Sequence, residues 1–100
     1  MLVIFLERAP TSLRGVLSRW LLEPKEGTFV GNPTARVREE LWTEIERRIG
    51  PGGASMLWSS DSSCGFGWRQ AGTPRRRFRD FDGLPLIWQG VENDAAPSVE

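Results

Sequence analysis

Twelve of the thirteen basic side chains in this 100-residue chain are arginine, and their placement is the first chemical signal. Arg14, Arg36 and Arg38 stand near expected helix starts, while Arg75, Arg76 and Arg77 follow one another with Arg79 just beyond. A guanidinium is a planar fork of donors that matches a phosphate, and helix N-termini add backbone N–H groups. Such a set suits a phosphodiester backbone and needs no base contacts. The second signal is Glu7, which closes an apolar run. A carboxylate at the end of a buried strand can reach a cleft. In a symmetric dimer, two of them would offer hard oxygen ligands to a divalent ion such as Mg2+. The simpler reading of Glu7, a pairing with Arg8 or another arginine, is preferred.

Other chemistry is sparse. The chain has no histidine and a single cysteine, Cys64. That removes histidine general bases, Ser/His and Cys/His nucleophilic pairs, internal disulfides and the usual zinc sites. There is no P-loop, and Gly65-Phe66-Gly67 lacks the strand-to-helix setting of a dinucleotide fingerprint. Ser59-Ser60-Asp61-Ser62-Ser63 reads as a hairpin turn, and Cys64 as a structural thiol. Thirteen bases balance thirteen acids, but not evenly. Residues 1–90 hold every base and ten of the acids, a net +3, and residues 91–100 hold the other three acids. Met1–Leu6 is apolar yet stops at Glu7 and Arg8, too short for a secretion signal or a membrane span of about 20 residues. A soluble, cytoplasmic protein is expected.

The elements that must position these residues are strands around two helices. The β-branched and aromatic run at residues 1–6 reads as a buried strand. Thr11 is a good N-cap for a helix whose stripe is Leu13, Val16, Leu17, Trp20 and Leu21, ending before Pro24. Gly15 inside it suggests close packing or close approach by a partner. A short strand follows at Thr28–Val30. Asn32-Pro33 starts a second helix along Val37, Leu41, Trp42, Ile45 and Ile49, stopped by Gly50-Pro51-Gly52-Gly53. Strands are expected at Ala54–Ser60 and Gly65–Gln70, an arginine-rich connection over Ala71–Asp82, and a last strand at Leu84–Trp88. Pro85 assigns that strand to a sheet edge or an exchanged position. Trp20, Trp42 and Trp58 are assigned to the core, Trp68 and Trp88 to an exposed sheet or a subunit contact. The order β-α-β-α-β-β-β predicts an α+β sandwich with helices on one face of a mainly antiparallel sheet. One domain over residues 1–88 and an acidic tail over 89–100 complete the organisation.

A family resemblance rests on these residues taken together. Leu13-Arg14-Gly15, Trp20-Leu21-Leu22-Glu23, Gly27, Val30-Gly31, Arg38-Glu39 and Trp42 resemble the small CRISPR-associated adaptation protein, the second Cas protein, in its type I-E form. So do Met56, Trp58, Gly65-Phe66, Arg75-Arg76 and Asp80-Phe81-Asp82-Gly83-Leu84. The resemblance covers residues 1 to about 88 and implies a ferredoxin-like protomer in a symmetric homodimer. It implies a dimer bridging two dimers of the CRISPR integrase, the first Cas protein, and holding double-stranded protospacer DNA for integration. By the same resemblance, Arg14 and Arg75-Arg76 grip the phosphate backbone, and Arg36 and Arg38 match basic positions at the second helix start. Leu84, Leu86, Ile87 and Trp88 fall where the family docks the integrase. Glu7 matches an acidic position associated across the wider family with metal-dependent nuclease activity. The cation of Arg8 beside it weakens a divalent site.

Two functions therefore stand as expectations: a non-catalytic scaffold in spacer acquisition, favoured, and a Mg2+-dependent endonuclease acting through Glu7 at the dimer interface. A third, taken without the resemblance, is a single-strand-binding sheet that stacks bases on Phe66 and Trp68.

Overall fold

Alternation along Leu2–Glu7 sorts the first strand into two faces: Leu2, Ile4 and Leu6 are buried, while Val3, Phe5 and Glu7 turn the other way. The computed structural model describes residues 1–81 and 84–88, with side chains as far as residue 78. Its elements are β1 (Leu2–Glu7), α1 (Thr11–Ser18), β2 (Leu22–Lys25), β3 (Thr28–Gly31), α2 (Ala35–Arg48), β4 (Gly53–Ser59), β5 (Phe66–Gly72), β6 (Arg77–Phe81) and β7 (Leu84–Trp88). The first five of the seven strands form one antiparallel sheet in the order β2-β3-β1-β4-β5. Its β2-β3-β1-β4 part, with α1 and α2 as the two crossovers, is the ferredoxin-like order, extended by β5. The hairpin β6-β7 is a separate two-stranded ladder.

Register shows what each face carries. Ile4 lies between Phe29 on β3 and Met56 on β4, so one row of side chains crosses the sheet beneath the helices. Leu13 and Leu17 of α1, and Leu41, Trp42 and Ile45 of α2, close that core, with Ile49 just beyond the helix. The opposite face is only partly covered. Phe5 there is 42% exposed, and Phe78 of β6 meets Trp68 of β5 edge to face at 5.2 Å.

Local chemistry departs from expectation in four places. The first helix stops at Ser18, and its flanking N-cap residue is Pro10, with no side-chain cap from Thr11. Arg19 and Trp20 close with tight bonds to Val16 and Leu17 carbonyls, after which Leu21 turns inward and Trp20 outward, 57% exposed rather than in the core. Pro24 explains the early stop: Glu23 before it prefers extended backbone, and β2 forms around the pair as an edge strand with an irregular register, where a missing N–H is tolerated. The second helix is capped not by Asn32 but by Thr34, whose hydroxyl accepts from Val37 N–H at 3.2 Å. Finally, the expected connection contains β6, paired residue for residue with β7 from Arg77↔Trp88 to Phe81↔Leu84.

Two devices fix the layers. At the end of β1, a Cβ on Gly52 would strike the backbone carbonyls of Glu7 and Arg8, so only glycine lets β4 begin that close. Gly72, at φ +71°, turns β5 away over the same spot. At the other end, Glu39 of α2 pairs with Arg69 of β5 at 2.8 Å and with Arg38 at 3.1 Å. Arg38 and Arg69 lie over the Trp58 ring at 4.5 and 5.3 Å. Gly67, opposite Trp58 in the ladder, leaves space for that indole.

These devices behave differently under substitution. Gly52→Ala is expected to destabilise by about 1–3 kcal/mol through backbone overpacking. Gly15→Ala, where a Cβ meets nothing within 4 Å, is expected to stabilise by up to about 1 kcal/mol. Urea unfolding of the two variants measures both signs. The Arg69 hydrogen bond foremost holds the Glu39 carboxyl below the usual carboxylate range. Gly27 N–H does the same for Glu23, and Arg48 for Glu44. The unfolded chain therefore binds protons first as pH falls, so stability is full above about pH 5 and declines below the ordinary glutamate value of about 4.3. Urea midpoints between pH 7 and 3 should trace that decline, and Glu39→Gln should flatten part of it.

Candidate nucleic-acid interface

Glu7 ends β1 on the sheet face away from the helices. Its Oε1 accepts the backbone N–H of Arg75 at 2.9 Å and stands 3.5 Å from Arg8 Nη1. The preferred reading of its role, pairing with arginine, is what the geometry contains. Among the described residues, no group of three acidic, histidine or cysteine side chains converges as a metal site. One Glu7 oxygen is thus engaged, with a guanidinium alongside.

The arginines divide into two groups. Arg8 leaves β1 in the left-handed region, at φ +53°, and its Nη2 donates to the Thr73 carbonyl at 2.7 Å. With Arg14 it lines a hollow of about 300 Å3. Thr73 leads through Pro74 to Arg75, Arg76 and Arg77, all exposed. Among the described residues, none of these three guanidinium groups has a carboxylate partner. The structure thus gathers Arg8, Arg14 and the 75–77 run at the C-terminal end of β1.

Arg36 and Arg38 are not part of this group. They belong to the start of α2, where Arg38 lies over Trp58, which pairs with Leu2 at the opposite end of β1. Arg36 is 87% exposed and reaches Glu40 at 3.5 Å. Arg38 is 22% exposed, held by Glu39 and stacked on Trp58, so its guanidinium braces the helix against the sheet. Arg14 is also engaged: Nη2 reaches Glu23 at 3.0 Å and Nη1 reaches Glu26 at 3.4 Å.

Arg8 is the member that sequence reasoning left out, having weighed it only as a neighbour of Glu7. Its adjacency to a strand end that must meet two other chain segments was the available signal. On the open sheet face, Phe5, Leu57, Phe66 and Phe78 line a cavity of about 670 Å3 that Arg76 and Lys25 also border. Phe66 and Trp68 are therefore partly enclosed beneath β6 and do not form a bare stacking platform. The Cys64 thiol donates to the Phe66 carbonyl at 3.2 Å within the turn before β5. The backbone of Leu84, Leu86, Ile87 and Trp88 forms β7. Their side chains, that of Arg79 and the acidic tail lie outside the described residues.

Among the described residues, no helix is long and apolar enough to cross a membrane. A family profile described as CRISPR-associated protein (Cas_Cas2CT1978) matches residues 1–86. That span takes in both helices, the whole five-stranded sheet, β6 and most of β7, and the chain belongs to this CRISPR-associated family of Cas2 type.

Proposed function

We propose that the protein is a non-catalytic scaffold in CRISPR adaptation. In this reading a homodimer bridges two dimers of the integrase, holds protospacer double-stranded DNA and supports its integration as a spacer. The observation that carries the reading is the arginine end of β1, where Arg8 and Arg14 share a hollow. The exposed run Arg75–Arg77 starts from Thr73 and Glu7 contacts at the same strand end, and its guanidinium groups have no carboxylate partner among the described residues. Family membership supports the CRISPR setting. The open sheet face, with Phe5 exposed over a cavity of about 670 Å3, suits a second copy of the chain. Leu84, Leu86, Ile87 and Trp88 on β7 are the proposed integrase contacts. Mg2+ is possible but not required for the scaffold role.

Arginine forks bind phosphates by charge-assisted hydrogen bonds and release condensed counterions. Affinity for duplex should therefore fall steeply with salt, the log–log slope losing about 0.9 for each phosphate contact removed. The triple change of Arg14, Arg75 and Arg76 to alanine is expected to abolish duplex binding and acquisition with the cognate integrase, and normal acquisition by it would overturn the reading. Arg38→Ala should instead lower stability and leave the salt slope nearly unchanged.

Glu7 is assigned to holding the start of the arginine run. Glu7→Gln, which keeps an acceptor for Arg75 N–H, is expected to acquire spacers normally. Neither it nor the wild type should show Mg2+-dependent cleavage of RNA or DNA. Cleavage by the wild type that disappears in folded Glu7→Gln would establish the endonuclease instead.

A further inference from the structure

Arg14 leaves α1 towards the turn between β2 and β3 and meets two carboxylates there that differ in almost every respect. Glu23 is 24% exposed, and its Oε2 accepts from Arg14 Nη2 at 3.0 Å and from Gly27 N–H at 2.9 Å. That turn is tied to β1, because the Gly27 carbonyl accepts from Leu6 N–H at 2.7 Å. Gly27, at φ +84°, would drive any side chain towards the Leu6 carbonyl. Glu23 is thus a fixed part of the fold. Glu26 is 82% exposed and makes one contact, to Nη1, at 3.4 Å. Exposed pairs of this length are weak and screened by salt. Nε of Arg14 is buried and has no hydrogen-bond partner among the described residues, so the guanidinium is incompletely satisfied. The hollow that Arg14 shares with Arg8 has Glu26 on its lining.

From this asymmetry we propose that Glu26 occupies, on Arg14, the place that a DNA phosphate takes, and so holds duplex affinity down, while Glu23 holds the guanidinium in position to receive it. The inference rests on the reading of the arginine end as the duplex-binding surface. A phosphate arriving at Nη1 displaces one solvated carboxylate contact and leaves the Glu23 anchor intact. It gains a second cation from Arg8 in the same hollow. Two neighbouring acids on one arginine therefore act in opposite directions: one orients, the other competes.

The test is fluorescence anisotropy of a labelled mixed-sequence duplex with the full-length protein, at low and at high salt. The variants are wild type, Glu26→Gln, Glu23→Gln, Arg14→Ala, and Glu26→Gln combined with Arg14→Ala. Glu26→Gln should bind about two- to fivefold more tightly at low salt, the range an exposed ion pair supports, with the gain shrinking at high salt. Glu23→Gln should bind more weakly. In the Arg14→Ala background Glu26→Gln should bring no gain. Thermal unfolding should leave Glu26→Gln at the wild-type midpoint, separating its effect from folding. Unchanged or weaker binding by Glu26→Gln overturns the inference. So does an equal gain without Arg14, which would reflect net charge alone, or tighter binding by Glu23→Gln. Wild type that binds no duplex at any salt rejects the functional reading itself, whereas binding wild type with an unaltered Glu26→Gln rejects only this inference.

Discussion

Close approach of three backbone segments at the end of β1 is the constraint on which the arginine surface depends. β4 enters at Gly52 against the carbonyls of Glu7 and Arg8, and β5 leaves at Gly72 over the same point. Only then can Arg8 reach the Thr73 carbonyl and Glu7 receive the N–H of Arg75. Side chains far apart in sequence become neighbours through glycines that themselves contribute no functional group. Glu7 belongs to the same joint, and its carboxylate performs a structural task at a place where catalysis was one expectation.

The electrostatics are ordered by commitment more than by count. A neutral total conceals a body with net positive charge, yet several of its guanidinium groups are committed to partners within the chain. Arg38 and Arg69 share Glu39 and the Trp58 ring, Arg47 and Arg48 share Glu44, and Arg14 divides itself between Glu23 and Glu26. The run at 75–77 differs because it is exposed, and among the described residues no carboxylate forms an ion pair with its guanidinium groups. Clustering made that run visible in the sequence. It could not distinguish a bracing arginine such as Arg38 from an available one, since both stand near a helix start.

Legibility followed how locally each feature is determined. β1, β4, β5 and α2 were readable because their patterns are long and agree with their stop signals. The end of α1 was not: Trp20 and Leu21 continue the helical stripe, and only the demand of Pro24 for extended backbone separates them. β2 and β6 were hidden for a related reason, being short strands rich in charge or proline that exist through a partner strand and not through their own pattern. Arg8 was missed because its importance comes from the arrival of Thr73, a contact across 65 positions of chain.

The hairpin β6-β7 has one further implication. Arg77 is paired with Trp88, so the arginine run leads directly into the same ladder that carries the proposed integrase-docking strand. This ladder is separate from the five-stranded sheet, and is tied to it through side chains: Gln70 donates to the Arg76 carbonyl and accepts from Phe78 N–H, and Trp68 meets Phe78. If β7 docks a partner and Arg75–Arg77 bind duplex, as proposed, the two events would meet across the Arg77↔Trp88 pair of one ladder. Any effect of one on the affinity of the other would then be reciprocal, by the same factor.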